Sequence, residues 1–249
     1  ASRGIGAATA RELGRRGYHA IVNYRASAET ARKVASEIEE AGGAATPIGA
    51  DVTDPEQVRA LTEEVTARFG GIDVLVCNAN TAQPPVVPLT ELSWPTFMGK
   101  ISDELAGVFH ITQEVLRRMR ARGSGRIVFV SSVAATSVGA GWAAHSTAEA
   151  ALNTFGRYVA AEAGQHGIAV NTIMPGLVRT DATTGVISGN TEWVTDIEGT
   201  SVLGRVLEPE DVASVIGALS DPALGAVAGT VIRVDSGHRL ITEGRSPRL

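Results

Sequence analysis

The chain has 249 residues, 44% hydrophobic and 20% charged, which suits one α/β domain with a full core. Its 22 basic and 27 acidic side chains give a net charge of -5, and nothing concentrates positive charge against a phosphate backbone, so no nucleic-acid partner is expected. A single cysteine, Cys77, excludes a disulfide framework and a cysteine-based metal cluster. Its apolar neighbours predict a buried, inert thiol. No apolar run reaches the ~20 residues of a membrane helix, and no charged-then-apolar leader opens the chain. The expectation is a cytoplasmic protein with no membrane partner and no metal.

The chain opens on Ala1-Ser2-Arg3-Gly4-Ile5-Gly6, which reads as the middle of a strand-to-helix turn with no strand before it. A first strand is therefore expected to be missing, which would leave two unpaired strand edges. Helical spacing follows over 5–16, then a strand over 19–24, a helix over 28–41 and a strand over 45–52. Asp54 caps a third helix, with Pro55 at its first position and Gly70 just past its end. A strand over 72–78 precedes a helix over about 97–122, where the basic run 117–126 complements the helix dipole. A strand over 126–131, a helix over 143–165 and a strand over 168–174 come next. Residues 182–206 form the longest irregular stretch, expected as a lid at the strand C-termini or as a plain surface excursion. A last helix starts at Pro209, and a last strand covers 230–234. The runs Val74-Leu75-Val76 and Ile127-Val128-Phe129-Val130 are continuously apolar, as in strands covered on both faces. The alternation predicts βαβ units: a doubly wound parallel sheet with helices on both faces, as a single domain over 1–249.

Gly4 and Gly6 open the first helix, where glycines let a backbone approach a pyrophosphate and the helix N-terminus supplies amide donors. About twenty residues on, the second element ends Val22-Asn23-Tyr24-Arg25, with Arg25 where an acidic residue would bind a ribose diol. Arg25 together with Arg3 suits a 2′-phosphate, and so NADP(H). The same arginines also read as plain surface charges.

These segments resemble the short-chain dehydrogenase/reductase family, and in particular its 3-oxoacyl-acyl-carrier-protein reductase branch. Ala1-Ser2-Arg3-Gly4-Ile5-Gly6 resembles the end of that family's glycine motif, without the first Thr-Gly. Asp51-Val52 resembles its adenine-contacting pair, and Asn78-Ala79-Asn80 its Asn-Ala-Gly. Pro175-Gly176-Leu177-Val178-Arg179-Thr180 resembles the segment whose Val and Thr hold the nicotinamide carboxamide. Leu203-Gly204-Arg205, the run 208–212 and Val234-Asp235-Ser236-Gly237 resemble the branch's C-terminal part. The resemblance covers nearly the whole chain. It implies a Rossmann-like fold, with NADP(H) held by Ser2 to Gly6, Tyr24, Arg25, Asp51, Val52, Asn78, Ala79, Asn80, Pro175, Gly176, Val178 and Thr180. It also implies a homo-oligomer, a tetramer or dimer. Phe97, Val108, Phe109, Ile111, Val115 and Phe155 are candidates for the contacts, although a monomer's core would use them equally.

The family's active site holds an Asn, a Ser, a Tyr and a Lys. By resemblance Ser132 falls on the Ser, but His145 stands at the Tyr, Glu149 at the Lys and Glu104 at the Asn. The candidate catalytic set is Ser132, His145, Glu149 and Glu104. An imidazole with an ordinary pKa of ~6.5 can exchange a proton near neutrality. Glu149, four residues on, shares its helix face and is expected to favour the charged imidazole. Of Glu104 and Glu149, one is expected to pair with His145, and the other to sit beside it as a like charge and be raised in pKa. Three functions stay open: an atypical NADP(H)-dependent reductase of a small-molecule ketone, a pseudoenzyme or regulatory subunit, and an acid–base catalyst for elimination, isomerisation or cyclisation without hydride transfer. His145 and Glu149 also read as an inert helix pair, and Glu104 as a solvated residue. Trp142 and Trp193 are candidates for a pocket wall, and Trp142 equally for a structural role.

Overall fold

The structure is a computed structural model that describes residues 1–79 and 83–240. Its elements run α1 (Gly4–Arg15), β1 (His19–Tyr24), α2 (Ala28–Glu40), β2 (Ala44–Gly49), α3 (Pro55–Phe69), β3 (Val74–Cys77), α4 (Trp94–Arg122), β4 (Gly125–Val130), α5 (Ala143–Gly164), β5 (Ile168–Pro175), α6 (Asp181–Gly189), α7 (Thr191–Thr200), α8 (Pro209–Ser220) and β6 (Val231–Val234). A single 3-10 turn, Val133–Ala135, leads from β4 towards α5. The α/β alternation expected from the sequence is present, and every strand pairing is parallel.

The strands form two hydrogen-bonded groups, β1-β2 and β3-β4-β5-β6. Among the described residues, one edge of β1 and one edge of β3 have no strand partner. Between them lies a cleft of about 310 Å³, lined by Ala20, Ile21 and Asn23 on one side and Val74 to Asn78 on the other.

Side-chain alternation along β4 builds the layers. Ile127 and Phe129 face a core shared with Val108, Ile111 and Val115 of α4 and Leu152 and Val159 of α5. Val128 faces the other side, with Ile173 of β5 and Val212, Ile216 and Leu219 of α8. That is the period of two expected of a strand covered on both faces. Fully burying side chains of this size stabilises by about 1.5–3 kcal/mol each. Cys77 lies buried in the first core, as expected, where burial pushes its thiol up to about 12.

Helix ends follow local chemistry. Asp54 accepts from the Glu56 and Gln57 amides, Pro55 occupies the first turn of α3, and Gly70 closes the helix at φ 81°. Ser93 caps α4 ahead of Pro95 in the same way. One expectation needs correction. The stretch 182–206 is not irregular: it holds α6 and α7. Thr183 Oγ1 accepts from the Thr180 amide at 2.9 Å in a capping box, and Asn190 caps α7. Of the residues offered for subunit contacts, Val108, Ile111 and Val115 are buried in the chain's own core, whereas Phe109 is exposed.

Candidate active site

The apolar stripe of α4 that packs on β3 and β4 includes Met119, Val115, Ile111 and Val108. Continued towards the N-terminus at the same spacing, it carries Glu104 and then Lys100. Both polar residues are therefore aimed into the protein, and both are buried, Lys100 at 3% and Glu104 at 6% exposure. Lysine is almost never buried so fully unless paired, and the Lys100 ammonium makes an ion pair with the Glu104 carboxylate one turn on.

Helix α5 packs against α4 and β5. The approach is close because Gly156 has no side chain: a Cβ there would stand 2.7 Å from Thr172 Oγ1 and 3.1 Å from Phe129. The buried face of α5 includes Ala144, Ala148, Glu149, Leu152 and Asn153. His145 lies one turn before Glu149, half-buried, with Trp142 tilted over its ring at a centroid distance of 5.5 Å. Its Nδ1 is 3.5 Å from Glu149 Oε1. Neither His145 Nδ1 nor Glu149 Oε2 has a hydrogen-bond partner among the described residues.

Ser131, at the end of β4, ties the two elements together by donating to the Glu149 backbone carbonyl at 3.3 Å. Ser132 heads the 3-10 turn that packs on α5, and its Oγ accepts the Ala134 amide at 3.1 Å. That contact holds the hydroxyl in place and leaves its hydrogen available to donate.

Burial dominates the electrostatics. It raises Glu149 from an ordinary 4.5 to about 7, with Glu104 as the next contributor, a like charge beside it. It lowers His145 from 6.5 to about 4, and the Lys100 ammonium pushes the same way. Burial also raises Glu104, against the pull of Lys100. The sequence expectation that Glu149 would favour a charged imidazole is thus overturned. The loss of water around both groups outweighs their attraction, and near pH 7 the imidazole is neutral. The expected split between the carboxylates also needs correction: Glu149, which contacts His145, is itself raised with Glu104 as a contributor, and Glu104 takes Lys100 as its partner.

The second cluster of candidates surrounds the start of α1. Gly4 has φ +52°, a left-handed conformation, and a Cβ there would press on Thr180 at 3.3 Å. A Cβ on Gly6 would stand 3.0 Å from Asn78 Nδ2. The turn therefore lies bare-backboned between Asn78 at the end of β3 and Thr180 at the start of α6. Ser2 and Ile5 are half-buried beside it, Arg3 is exposed, and Ala79 is exposed after Asn78. Pro175 ends β5, the Gly176 amide donates to Val234 at 2.8 Å, and Val178 is buried and bridged to Leu207. Tyr24 and Arg25 stand at the end of β1, with Arg25 4.0 Å from Asp51. Asp51 accepts the Thr53 amide and hydroxyl, which holds its carboxyl below the usual range. Val52 lines the cleft between β1 and β3. Asn80 lies outside the described residues. Trp193 sits on α7, partly exposed.

Sequence reasoning missed Lys100. The signal that would have found it is its place four residues before Glu104, on the same stripe that buries Val108 and Ile111.

The sequence model of the family described as enoyl-(acyl carrier protein) reductase matches residues 1–239. The chain belongs to the short-chain dehydrogenase/reductase family. It is 36% identical over 245 residues to cis-4-hydroxycyclohexanecarboxylate dehydrogenase of Sinomonas cyclohexanicum, covering 97% of this chain and 94% of that one. It is 35% identical to the 3-oxoacyl-[acyl-carrier-protein] reductase of Synechocystis, with 95% and 93% covered. Among solved structures, a gluconate 5-dehydrogenase from Burkholderia cenocepacia in complex with NADP and tartrate superposes with a TM-score of 0.87 at 28% identity, covering 95% of this chain and 91% of that one. All three carry the names of oxidoreductases, and the solved structure shares the α/β architecture with parallel strands described above. Among the described residues no helix is long and apolar enough to cross a membrane, and no cluster of His, Cys, Asp and Glu suits a metal.

Proposed function

We propose that the chain is an NADP(H)-dependent oxidoreductase that interconverts a small-molecule ketone and its alcohol, with His145 exchanging a proton with the substrate oxygen and Glu149 as the proton reservoir behind it. The observation that carries this reading is the approach of His145 Nδ1 to Glu149 Oε1, with a carboxyl that titrates at about 7.

The residues around α1 fit the cofactor. Gly4 and Gly6 let the turn lie bare-backboned against Thr180 and Asn78, and with Ser2, Arg3 and Ile5 it forms a helix N-terminus whose amides suit a pyrophosphate. Arg25, beside Tyr24, is placed for a 2′-phosphate, with Asp51 and Val52 at the adenine. Asn78, Ala79 and Asn80 would follow the cofactor backbone. Pro175, Gly176, Val178 and Thr180 would hold the carboxamide. When bound, the reduced nicotinamide supplies a hydride to the carbonyl carbon.

The chain's own residues manage the oxygen and the proton. Ser132 donates a hydrogen bond to the carbonyl oxygen. His145 Nε2–H gives its proton to that oxygen as it becomes an alkoxide, while the Glu149 carboxyl passes its proton to Nδ1. The imidazole thus remains neutral throughout, and Glu149 ends as the carboxylate. Oxidation of the alcohol runs the same steps backwards. The 3.5 Å separation is long for proton transfer, and such contacts tighten when a substrate binds. In this reading the chain works as a homo-oligomer, with exposed Phe109 and Tyr158 on α4 and α5 available to a second copy.

The test is NADPH fluorescence quenching, followed by NADPH oxidation against a panel of ketones. Binding and turnover are expected, with kcat/KM lowered by about 10²–10⁴-fold in His145→Phe. Absence of binding at millimolar cofactor would overturn the reading, and full activity in His145→Phe would remove His145 from it. NADPH-independent loss of water from hydroxy substrates would instead favour an acid–base catalyst built on the same pair.

A further inference from the structure

Two segments lead towards His145 from the carboxyl ends of the paired strands β3 and β4, and neither carries a charge. Residues 83–90 and 131–144 contain no Asp, Glu, Lys or Arg, in a chain that is 20% charged. The two segments are tied together beside α5. The Val87 amide donates to the Gly141 carbonyl at 3.1 Å, and a Cβ on Gly141 would stand 3.2 Å from Val86 Cγ1. Gly141 has φ +81°, so the contact uses a backbone conformation that a side chain would strain. The next residue is Trp142, whose indole stands over the His145 ring at 5.5 Å and a tilt of 59°. A continuous chain of contacts therefore joins Val86, Gly141, Trp142 and His145.

Helix stability does not call for an indole at this place. Trp142 occupies the N-cap of α5, where Ser, Thr, Asp or Asn would satisfy an amide of the first turn, and its side chain makes no cap hydrogen bond. Nor is it packed on one of the apolar cores: it stays half-buried, and Val86 beside it is 60% exposed. The charges of the site lie elsewhere. Glu149 is buried one turn beyond His145, and Lys100 and Glu104 are buried as an ion pair on α4.

We propose that Val86 and Trp142 form an apolar wall for the substrate, and that the substrate is an uncharged ketone carried on a flat ring, with the ring against the indole and the carbonyl oxygen at His145. This rests on the reading of His145 as the group that meets the substrate oxygen. A skeleton attached to that oxygen lies beside Trp142, and a flat ring stacks on an indole with few rotations to lose. A carboxylate or phosphate laid on the same wall would lose its water and find no cation on either segment.

The experiment uses the full chain and three probes: β-tetralone, its ring carboxylate, and an open-chain decanone of the same carbon number. Binding of each is titrated by saturation-transfer NMR, which needs no turnover, and NADPH oxidation gives kcat and KM. β-Tetralone is expected to exceed the decanone by about tenfold in kcat/KM, and the carboxylate by about 100-fold. Trp142→Ala should remove the advantage over the decanone, mainly through KM, and Trp142→Phe should keep most of it. Val86→Lys places a cation in the wall at an exposed position, so it should bind the carboxylate more tightly and β-tetralone less tightly. It decides the matter where Trp142→Ala does not fold. Equal or tighter binding of the carboxylate by wild type overturns the proposal, as does absence of β-tetralone binding. An equal loss with β-tetralone and the decanone in Trp142→Ala also overturns it and leaves Trp142 as a support for the His145 ring. Failure of the oxidoreductase reading has a different signature: β-tetralone binds in a Trp142-dependent way and is not reduced. Failure of the wall shows as turnover without preference among the three probes.

Discussion

His145 Nδ1 and Glu149 Oε1 stand 3.5 Å apart on one face of α5, and burial pushes the two groups in opposite directions. The imidazole, lowered to about 4, is neutral at physiological pH, and the carboxyl, raised to about 7, is half protonated there. Ketone reduction draws on the protonated carboxyl. Its kcat/KM should therefore be flat at low pH and fall as pH rises through about 7. Glu149→Gln removes the transferable proton and should lower kcat/KM by about 10²–10⁴-fold, abolishing that limb of the profile. His145→Phe should cost a similar factor. A pH profile of NADPH oxidation in the three proteins checks both statements.

The same two shifts make opposite contributions to stability. Glu149 binds its proton more tightly folded than unfolded, so its contribution is full below 4.5 and is lost as pH rises to about 7. His145 binds its proton less tightly folded than unfolded, so its contribution is full above 6.5 and is lost as pH falls to about 4. Each is worth about 3 kcal/mol, and in wild type they largely cancel between 4.5 and 6.5. Single substitutions should unmask them. His145→Phe should lose about 3 kcal/mol between pH 4.5 and 7, and Glu149→Gln should lose a like amount between pH 6.5 and 4. Urea unfolding across that range reads both slopes, and parallel profiles in the two variants would refute the assignment.

The strands and long helices were legible because their apolar periods are unbroken: β4 alternates between two cores, and α4 keeps one stripe over most of its length. Helices α6 and α7 were not, because Thr, Val and Gly lower helix propensity in both and no strong apolar face marks them. Their only cues were caps, Thr180 with Thr183 and Asn190. In the site, the residue types and the helical spacing of His145 and Glu149 were readable. The direction of their titration was not, since it depends on how much water two packed helices exclude. Lys100 matches no position of the family pattern, and only its place one turn before Glu104 on the buried stripe of α4 marks it.

Arg25 is exposed at the end of β1, 4.0 Å from Asp51, which is close enough to be oriented but too far to be neutralised. Its guanidinium should contribute to NADPH binding through the 2′-phosphate and nothing to NADH. Arg25→Ala is expected to raise the Kd for NADPH by about tenfold, or about 1.4 kcal/mol, and to leave NADH unchanged. Fluorescence titration with both cofactors checks this, and equal effects on the two would move the 2′-phosphate away from Arg25.

Gly156 is a point of close approach between α5 and the sheet, so a single methyl group there tests whether the packing of α5 governs the site. The added Cβ would meet Thr172 Oγ1 at 2.7 Å and Phe129 at 3.1 Å, and Phe129 is wholly buried with no room to retreat. Helix propensity alone favours alanine over glycine by about 1 kcal/mol, but overpacking of this kind costs about 1–3 kcal/mol. The net expectation is destabilisation, with α5 displaced outward. His145 and Glu149 ride on that helix two to three turns away, whereas α1, with the glycine turn at its start, packs mainly on α8, β1 and α2. Gly156→Ala should therefore lower kcat for ketone reduction more than it weakens NADPH binding. Thr172→Ala removes the nearer obstacle, so the double variant should recover part of both the stability and the kcat. Additive losses in the double-mutant cycle, measured by urea midpoint and by turnover, would show that the Thr172 contact is not what sets the distance of α5 from the sheet.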